Sequence, residues 1–279
     1  MLVFAKIKSL QQKIKSLRKG TSIGFIPTMG ALHKGHLSLI EQAKKENDIV
    51  VVSIFVNPTQ FDKKEDLINY PKTIDCDLSL LKAIYCDIVF TPTAEEIYAN
   101  NIQSQLFDFD GLEYQMEGKF REGHFNGVGT IVKQLFEIVQ PHKAYFGEKD
   151  FQQLQIIRKM VEKYLIPVKI IGCEIFREED GLAMSSRNNR LTKEYRNVAP
   201  FIYKTIKNAK KQFGTKNALE VANWVENEFK NQPLLTLEYF EMADEESLLP
   251  IKNKDFKQKY RAFIAVFADK IRLIDNISL

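Results

Sequence analysis

Ser22-Ile-Gly-Phe-Ile-Pro-Thr-Met-Gly-Ala-Leu-His-Lys-Gly-His-Leu-Ser-Leu-Ile40 is the stretch on which the fold turns. Ile23, Phe25 and Ile26 form a short apolar run of the kind that fills a buried strand. Pro27 and Gly30 interrupt it and predict a turn. From Gly35 onward Leu37, Leu39, Ile40 and Ala43 recur at helical spacing, while Glu41 and Lys44 face outward. A strand, a glycine-bearing turn and a helix start in that order offer backbone N–H groups and a positive dipole end to an anion.

His33 and His36 stand at the predicted helix start, three residues apart and so on roughly one face. Gly35 between them has no Cβ, which lets a bulky ligand approach the backbone. Imidazoles in this place can donate to phosphate oxygens and stabilise charge that builds during phosphoryl or nucleotidyl chemistry. Two of the chain's four histidines fall in this window, which favours a ligand role over capping and packing.

Working outward, Asp48–Val56 is a nearly continuous β-branched run, read as a central parallel strand buried on both faces. It delivers Asn57, Gln60 and Phe61 to its carboxyl end, where open α/β sheets place their ligands. An amphipathic helix is expected over Ile7–Lys19, a charged loop at Asp62–Asp66, a helix at Asp75–Ala83 and a strand at Asp87–Phe90. Gln105–Gly118 is hard to place, with Leu106, Phe107 and Phe109 suggesting a short strand. Glu117–Gly129 carries four glycines with Lys119, Arg121 and His124; it is read either as a loop closing over a polyanion or as a plain connection. A helix over Thr130–Val139 and a strand at Lys143–Phe146 follow.

That strand runs into Gly147-Glu-Lys-Asp-Phe-Gln-Gln153 and a helix reaching Tyr164, a second polar cluster at a helix start. After a strand at Pro167–Cys173 comes a third cluster, Arg177–Arg190, in which Ser185, Ser186 and Arg187 suit phosphate oxygens. Taken alone, its reading as a solvated linker with a helix cap at Thr192 is the stronger. The alternation of strands and helices predicts a doubly wound, Rossmann-like parallel sheet over residues 1–175. Helices at Lys193–Phe213 and Ala218–Phe229, with strands at Leu235–Met242, Ala262–Phe267 and Ile271–Ile274, predict a smaller α+β domain over residues 176–279, with Trp224 in its core.

A length of 279 residues fits two such domains. The net charge of +4 is spread along the chain, which permits anionic substrates without demanding nucleic acid. Cys76, Cys86 and Cys173 show no C-x-x-C spacing, so they are expected as reduced, buried thiols in a cytoplasmic protein. No secretory signal or membrane span is expected, since no apolar run is long enough. The chain lacks G-x-x-x-x-G-K-[ST] and a G-x-G-x-x-G turn, which disfavours P-loop transferases and dinucleotide enzymes.

Pro27-Thr-Met-Gly-Ala-Leu-His-Lys-Gly-His36 resembles the H-x-G-H signature of the nucleotidylyltransferase superfamily. Ser53–Phe61, Phe146–Gln153 and Gly181–Asn188, with Arg-Leu-Ile-Asp-Asn around Ile274, look like the pantoate–β-alanine ligase family, in order along the whole chain. Thr59 departs from the methionine common there. The resemblance implies a two-step ligation: ATP and pantoate give pantoyl adenylate and pyrophosphate, then β-alanine displaces AMP. It implies ATP as a substrate with Mg²⁺ on its phosphates, no protein metal site, no nucleic acid or membrane partner, and a homodimer. By the same analogy His33 and His36 contact the triphosphate, with His36 the proton donor. Met29, Gly30, Gly35 and Glu148 lie along ATP, Lys149 with Ser185, Ser186 and Arg187 neutralises phosphate charge, and Asp150 with Gly147 holds the ribose region. Phe176 and Met184 flank the nucleotide; Gln60, Gln153 and Asn57 form the pantoate pocket. A hinge is expected at Phe176–Arg187. Rival readings are an adenylyltransferase acting on a phosphate acceptor and an RNA-binding module; salt-sensitive RNA binding would favour the second.

Overall fold

Six parallel strands, in the order β1-β4-β3-β2-β5-β6, make the larger sheet of a computed structural model that describes residues 1–279 except 62, 63, 100, 252 and 256, and except the side chains of 64 and 66. They are β1 (Leu2–Phe4), β2 (Ile23–Thr28), β3 (Ile49–Ile54), β4 (Ile88–Phe90), β5 (Lys143–Gly147) and β6 (Lys169–Cys173). Interleaved helices are α1 (Ile7–Lys15), α2 (Lys34–Glu46), α3 (Lys64–Ile68), α4 (Ile74–Ala83), α5 (Ala94–Tyr98), α6 (Met116–Phe120), α7 (His124–Val139) and α8 (Phe151–Lys163). The chain divides into two compact units, residues 1–148 with 153–174 and residues 149–152 with 175–279.

The first unit is doubly wound, as the alternating pattern requires. Val50, Val51 and Val52 of β3 are wholly buried, so the β-branched run has no polar face because both faces are covered. From β2 the chain steps through β3 to β4, then crosses to the other side of β2 for β5 and β6. The strand order therefore reverses between β2 and β5, the place where open α/β sheets form their ligand crevice.

Several expectations need correcting. β1, only three residues long, pairs in parallel with β4 and had no visible signal. Helix α1 stops at Lys15, and Gly20 takes a left-handed φ of +89° beyond it. Of the charged loop expected at 62–66, residues 62 and 63 lie outside the described residues, and α3 begins at Lys64. No strand forms at Leu106–Phe109. Phe107 and Phe109 are buried and stack on each other at 5.3 Å, but Gln105 N–H donates to Thr130 Oγ1 and Phe107 N–H to Asn126 Oδ1. The segment's alternation is that of a strap laid along α7. Cys76 is exposed, whereas burial pushes the Cys86 and Cys173 thiols up to about 12.

The glycine-rich stretch 117–129 is also no loop. Helices α6 and α7 occupy all of it except residues 121–123, because Gly127 sits inside α7, where a Cβ would stand 2.2 Å from Thr59 O. There the glycine marks close backbone approach, a use that sequence spacing cannot tell from a turn.

The second unit holds α9 (Lys193–Val198), α10 (Phe201–Phe213), α11 (Ala218–Lys230) and the antiparallel strands β7 (Leu235–Asp244), β8 (Tyr260–Ala268) and β9 (Ile271–Ser278). The single helix expected over Lys193–Phe213 is two, split where Pro200 has no N–H to give. Ile202, Ile206, Val221 and Val225 of α10 and α11 pack with Ala262, Ile264 and Val266 of β8, and Trp224 lies half-buried against this core.

Candidate active site

β2 ends at Thr28, and the turn that follows, up to the residue that caps α2, is held by a carboxylate far away in sequence. Gly30 and Ala31 take left-handed φ values of +82° and +50°. Asp77, in the first turn of α4 and only 2% exposed, accepts from Ala31 N–H at 3.1 Å, Leu32 N–H at 2.8 Å and Thr73 Oγ1 at 3.2 Å. A Cβ on Gly30 would meet Asp77 Oδ2 at 3.0 Å and Ile54 at 3.2 Å, so the turn requires glycine on two counts. The turn delivers His33 in an extended conformation as the N-cap of α2.

His33 and His36 lie together, with ring centroids 4.0 Å apart. His33 N–H donates to His36 Nδ1 at 3.3 Å. A ring nitrogen that accepts from a backbone N–H carries no proton, so neutral His36 bears its hydrogen on Nε2 as a donor. The turn residues Met29 and Gly30 lie at the carboxyl end of the middle strand beside this pair, and Gly35 is half-buried in the first turn of α2.

β3 runs parallel to β2 in register, so its exit, Phe55–Gln60, leaves the sheet at the same edge. Asn57, 1% exposed, caps a 3₁₀ turn over Pro58–Gln60. Its Oδ1 accepts from Thr59 N–H, Thr59 Oγ1 and the Tyr98 hydroxyl, and its Nδ2 donates to Gly127 O and Gln60 Oε1, both at 3.1 Å. Gln60 Nε2 in turn lies 3.0 Å from Met29 Sδ, which joins the β2 and β3 exits. The Gln60 carbonyl is held by His124 Nδ1 at 2.8 Å. His124, offered above as a loop residue facing a polyanion, is instead a buried strut. Thr59 is built into the Asn57–Tyr98 network by its hydroxyl. A cavity of about 200 Å³ lies behind this turn, between Thr59, Phe61, Ser104 and Asn126. Gln153 is half-buried near the start of α8.

In the second unit Lys149 and Asp150 form a 3.6 Å ion pair in the turn before α8. Asn276 Nδ2 donates to Lys149 O at 2.9 Å, and Arg261 Nη1 donates to Asn276 Oδ1 at 2.6 Å. Arg261 is stacked on Phe151 and donates through Nε to Glu245. The adjacent Asp275 takes both arms of Arg177, at 2.7 and 2.9 Å, and Arg177 lies over the Tyr203 ring. Burial pushes the Asp275 carboxyl up, and the guanidinium pulls against that. The Arg-Leu-Ile-Asp-Asn run at 272–276 is thus the bracket behind Lys149 and Arg177.

Phe176–Met184 is a short hairpin: Met184 N–H donates to Phe176 O, Arg177 bridges Ala183, and Gly181 turns at φ +91°. Ser185 Oγ accepts from Arg187 N–H and caps a 3₁₀ turn over Ser186–Arg190. Asn188, buried in that turn, donates to Glu178 and to Ala183 O. Arg187 stays exposed, with Ser185 and Ser186 half-buried beside it. The structure therefore brings together His33 with His36, Met29 with Gln60 and Asn57, Lys149 with Asp150, and Ser185 with Arg187. Gly147 ends β5, parallel to β2, and Glu148 opens the 3₁₀ turn that follows. Asp77, Tyr98, Asp275 and Asn276 had no assigned part; all act across long sequence separations, which no local pattern reveals. Among the described residues, no three His, Cys, Asp or Glu side chains converge as a metal site.

The family model described as pantoate-beta-alanine ligase matches residues 2–278 of the chain. The chain is 58% identical to a pantothenate synthetase of Christiangramia forsetii over 100% of its own length and 99% of that protein's. It is 56% identical to one from Flavobacterium psychrophilum, with all of both chains covered. Among solved structures it is similar to the Thermus thermophilus pantothenate synthetase, with a TM-score of 0.91, 38% identity and 99% of each chain covered. It is also similar to the Francisella tularensis pantoate-beta-alanine ligase complexed with beta-gamma ATP and beta-alanine, with a TM-score of 0.83, 37% identity, and 100% and 97% coverage.

Asp77→Ala strands two backbone N–H groups, and urea unfolding should show a loss of about 2–6 kcal/mol, at about 1–3 kcal/mol for each donor left without an acceptor. A variant as stable as the parent would mean that Asp77 does not hold the turn.

Proposed function

The chain belongs to the pantoate–β-alanine ligase family and is an ATP-dependent ligase that makes pantothenate from pantoate and β-alanine, and from that premise we propose how its residues divide the work. A pantoate carboxylate oxygen attacks the α-phosphorus of ATP, and pyrophosphate leaves with the electrons of the broken P–O bond. The product is a mixed anhydride, pantoyl adenylate. The amine of β-alanine then attacks the acyl carbon, loses a proton, and AMP departs with the bridging oxygen. No side chain has to act as a nucleophile, so the protein's contribution is positioning and charge stabilisation.

The observation that carries this reading is the His33–His36 pair at the start of α2, next to the turn pinned by Asp77. With its hydrogen on Nε2, His36 donates to phosphate oxygens as charge shifts onto the leaving group, and His33 works beside it. Backbone N–H groups near Met29, Gly30 and Gly35 face the same phosphates. Lys149 compensates negative charge at the reacting phosphorus, as do Arg187 and the hydroxyls of Ser185 and Ser186. Ser185 Oγ accepts from Arg187 N–H and so keeps its own hydrogen to donate. Gly147, Glu148 and Asp150 take the ribose side, and Phe176 and Met184 flank the nucleotide. Gln60, Gln153 and the Asn57 network receive pantoate.

Mg²⁺ enters with ATP, its oxygen ligands coming mainly from phosphates and water; a cation bound in this way needs no carboxylate cage of its own. We place the enzyme in the cytoplasm, in keeping with an exposed free Cys76. We also propose that it works as a homodimer, and that its two units move on binding ATP and pantoate. The bend belongs at Glu174–Ile175 rather than within Phe176–Arg187, since the latter is a braced hairpin. Exclusion of water would protect the acyl adenylate from hydrolysis.

Pantoate-dependent exchange of pyrophosphate into ATP, without β-alanine, tests the first step. His36→Ala should slow it roughly 10²-fold or more, the scale for removal of one donor to developing charge. Exchange near the parent rate would remove His36 from the mechanism. Small-angle scattering should give a mass of twice the 32.3 kDa chain and a smaller radius of gyration with ATP and pantoate. A single-chain mass or an unchanged profile would count against the dimer or the closure respectively.

A further inference from the structure

Resting on the assignment of Gln60 to pantoate, we infer that Gln60 meets that substrate as a hydrogen-bond donor, and that Asn57, Tyr98 and His124 are positioning residues acting through it. The oxygen and nitrogen of an amide are hard to tell apart by shape, but backbone partners have fixed polarity. Thr59 N–H can only donate, and it points at Asn57 Oδ1 from 3.3 Å. Gly127 O can only accept, and it lies 3.1 Å from Asn57 Nδ2. The Asn57 amide therefore has one orientation, and its second N–H falls on Gln60 Oε1 at 3.1 Å. The Gln60 amide is thereby fixed with Oε1 on Asn57 and Nε2 on the opposite side.

What remains is the Gln60 Nε2 end, turned toward Met29 Sδ. A thioether is a weak acceptor. A carboxylate or hydroxyl oxygen of pantoate is a much better one and replaces it. Asn57 has nothing left to offer a substrate: both its N–H groups are used and its Oδ1 receives three donors, in a side chain 1% exposed. The Tyr98 hydroxyl secures the same orientation from 2.5 Å, and burial raises the phenol's pKa, which keeps it a donor.

The other end of Gln60 is fixed by the same logic. Gln60 O only accepts, so His124 carries its hydrogen on Nδ1, 2.8 Å away. Arg121 Nη1 only donates, so it supplies the hydrogen bond to His124 Nε2 at 3.0 Å. The two partners agree on one neutral tautomer. Gln60 is clamped at carbonyl and amide, with its Nε2 donor end turned toward Met29.

A double-mutant cycle on pantoate-dependent pyrophosphate exchange tests this. Asn57→Asp cannot donate to Gln60 or Gly127, so KM for pantoate should rise roughly tenfold; the isosteric Tyr98→Phe should raise it about threefold, with KM for ATP within about twofold of the parent in both. In a Gln60→Ala background each change should add less than about twofold, because its route to the substrate is gone. Full, additive effects in that background would overturn the inference, as would singles with unaltered KM for pantoate. Tyr98→Phe and its double decide the matter if Asn57→Asp does not fold. Should Gln60→Ala itself leave KM for pantoate unchanged, the pantoate assignment fails, and this inference with it.

Discussion

The carboxylate of Asp77 holding Ala31 N–H and Leu32 N–H is the constraint on which the rest of the first unit's site depends. Without it, a turn of two left-handed residues would leave two buried donors unmatched, each costing about 1–3 kcal/mol. With it, the chain leaving β2 turns sharply into α2, and His33 arrives as N-cap with His36 folded back onto its N–H. The imidazole pair is thus set by backbone geometry before any ligand arrives. Preorganised donors of this kind stabilise developing charge without reorganisation at the moment of reaction.

The same economy recurs in the other clusters. Gln60 is gripped through Asn57 and His124, and Lys149 has its carbonyl taken by Asn276, which Arg261 orients. Arg177 gives both arms to Asp275 and is spoken for structurally. Gln60 and Lys149, both assigned to substrates, are therefore each backed by hydrogen-bonded partners. For a ligation in which the substrates supply nucleophile, electrophile and leaving group, such fixed placement is the chemistry the protein has to provide.

Much of this was legible in the sequence. The β-branched run 49–54 and the helical spacing after Gly35 announce a parallel sheet, and the six-stranded order bears this out. The three strands of the second unit were likewise expected, at Leu235–Met242, Ala262–Phe267 and Ile271–Ile274, although each runs further than those bounds and their antiparallel pairing was not foreseen. What failed did so for physical reasons. Gly127 lies inside a helix for close approach to Thr59, yet glycine spacing imitates a loop. Phe107 and Phe109 alternate like a strand, yet the N–H groups of Gln105 and Phe107 bond to α7 side chains. Candidate ligand residues such as His33, His36 and Lys149 were visible because they cluster locally. Asp77, 45 residues from the N–H groups it holds, was invisible because only the fold brings them together.

Pantoate labelled with ¹⁸O in its carboxylate, turned over with ATP and β-alanine, reports most directly on the central claim that pantoate itself attacks the α-phosphorus in a site built for placement. The account requires one labelled oxygen to appear in AMP, since the acyl carbon–oxygen bond breaks when the amine enters. Label in inorganic phosphate, or AMP free of label, would contradict it.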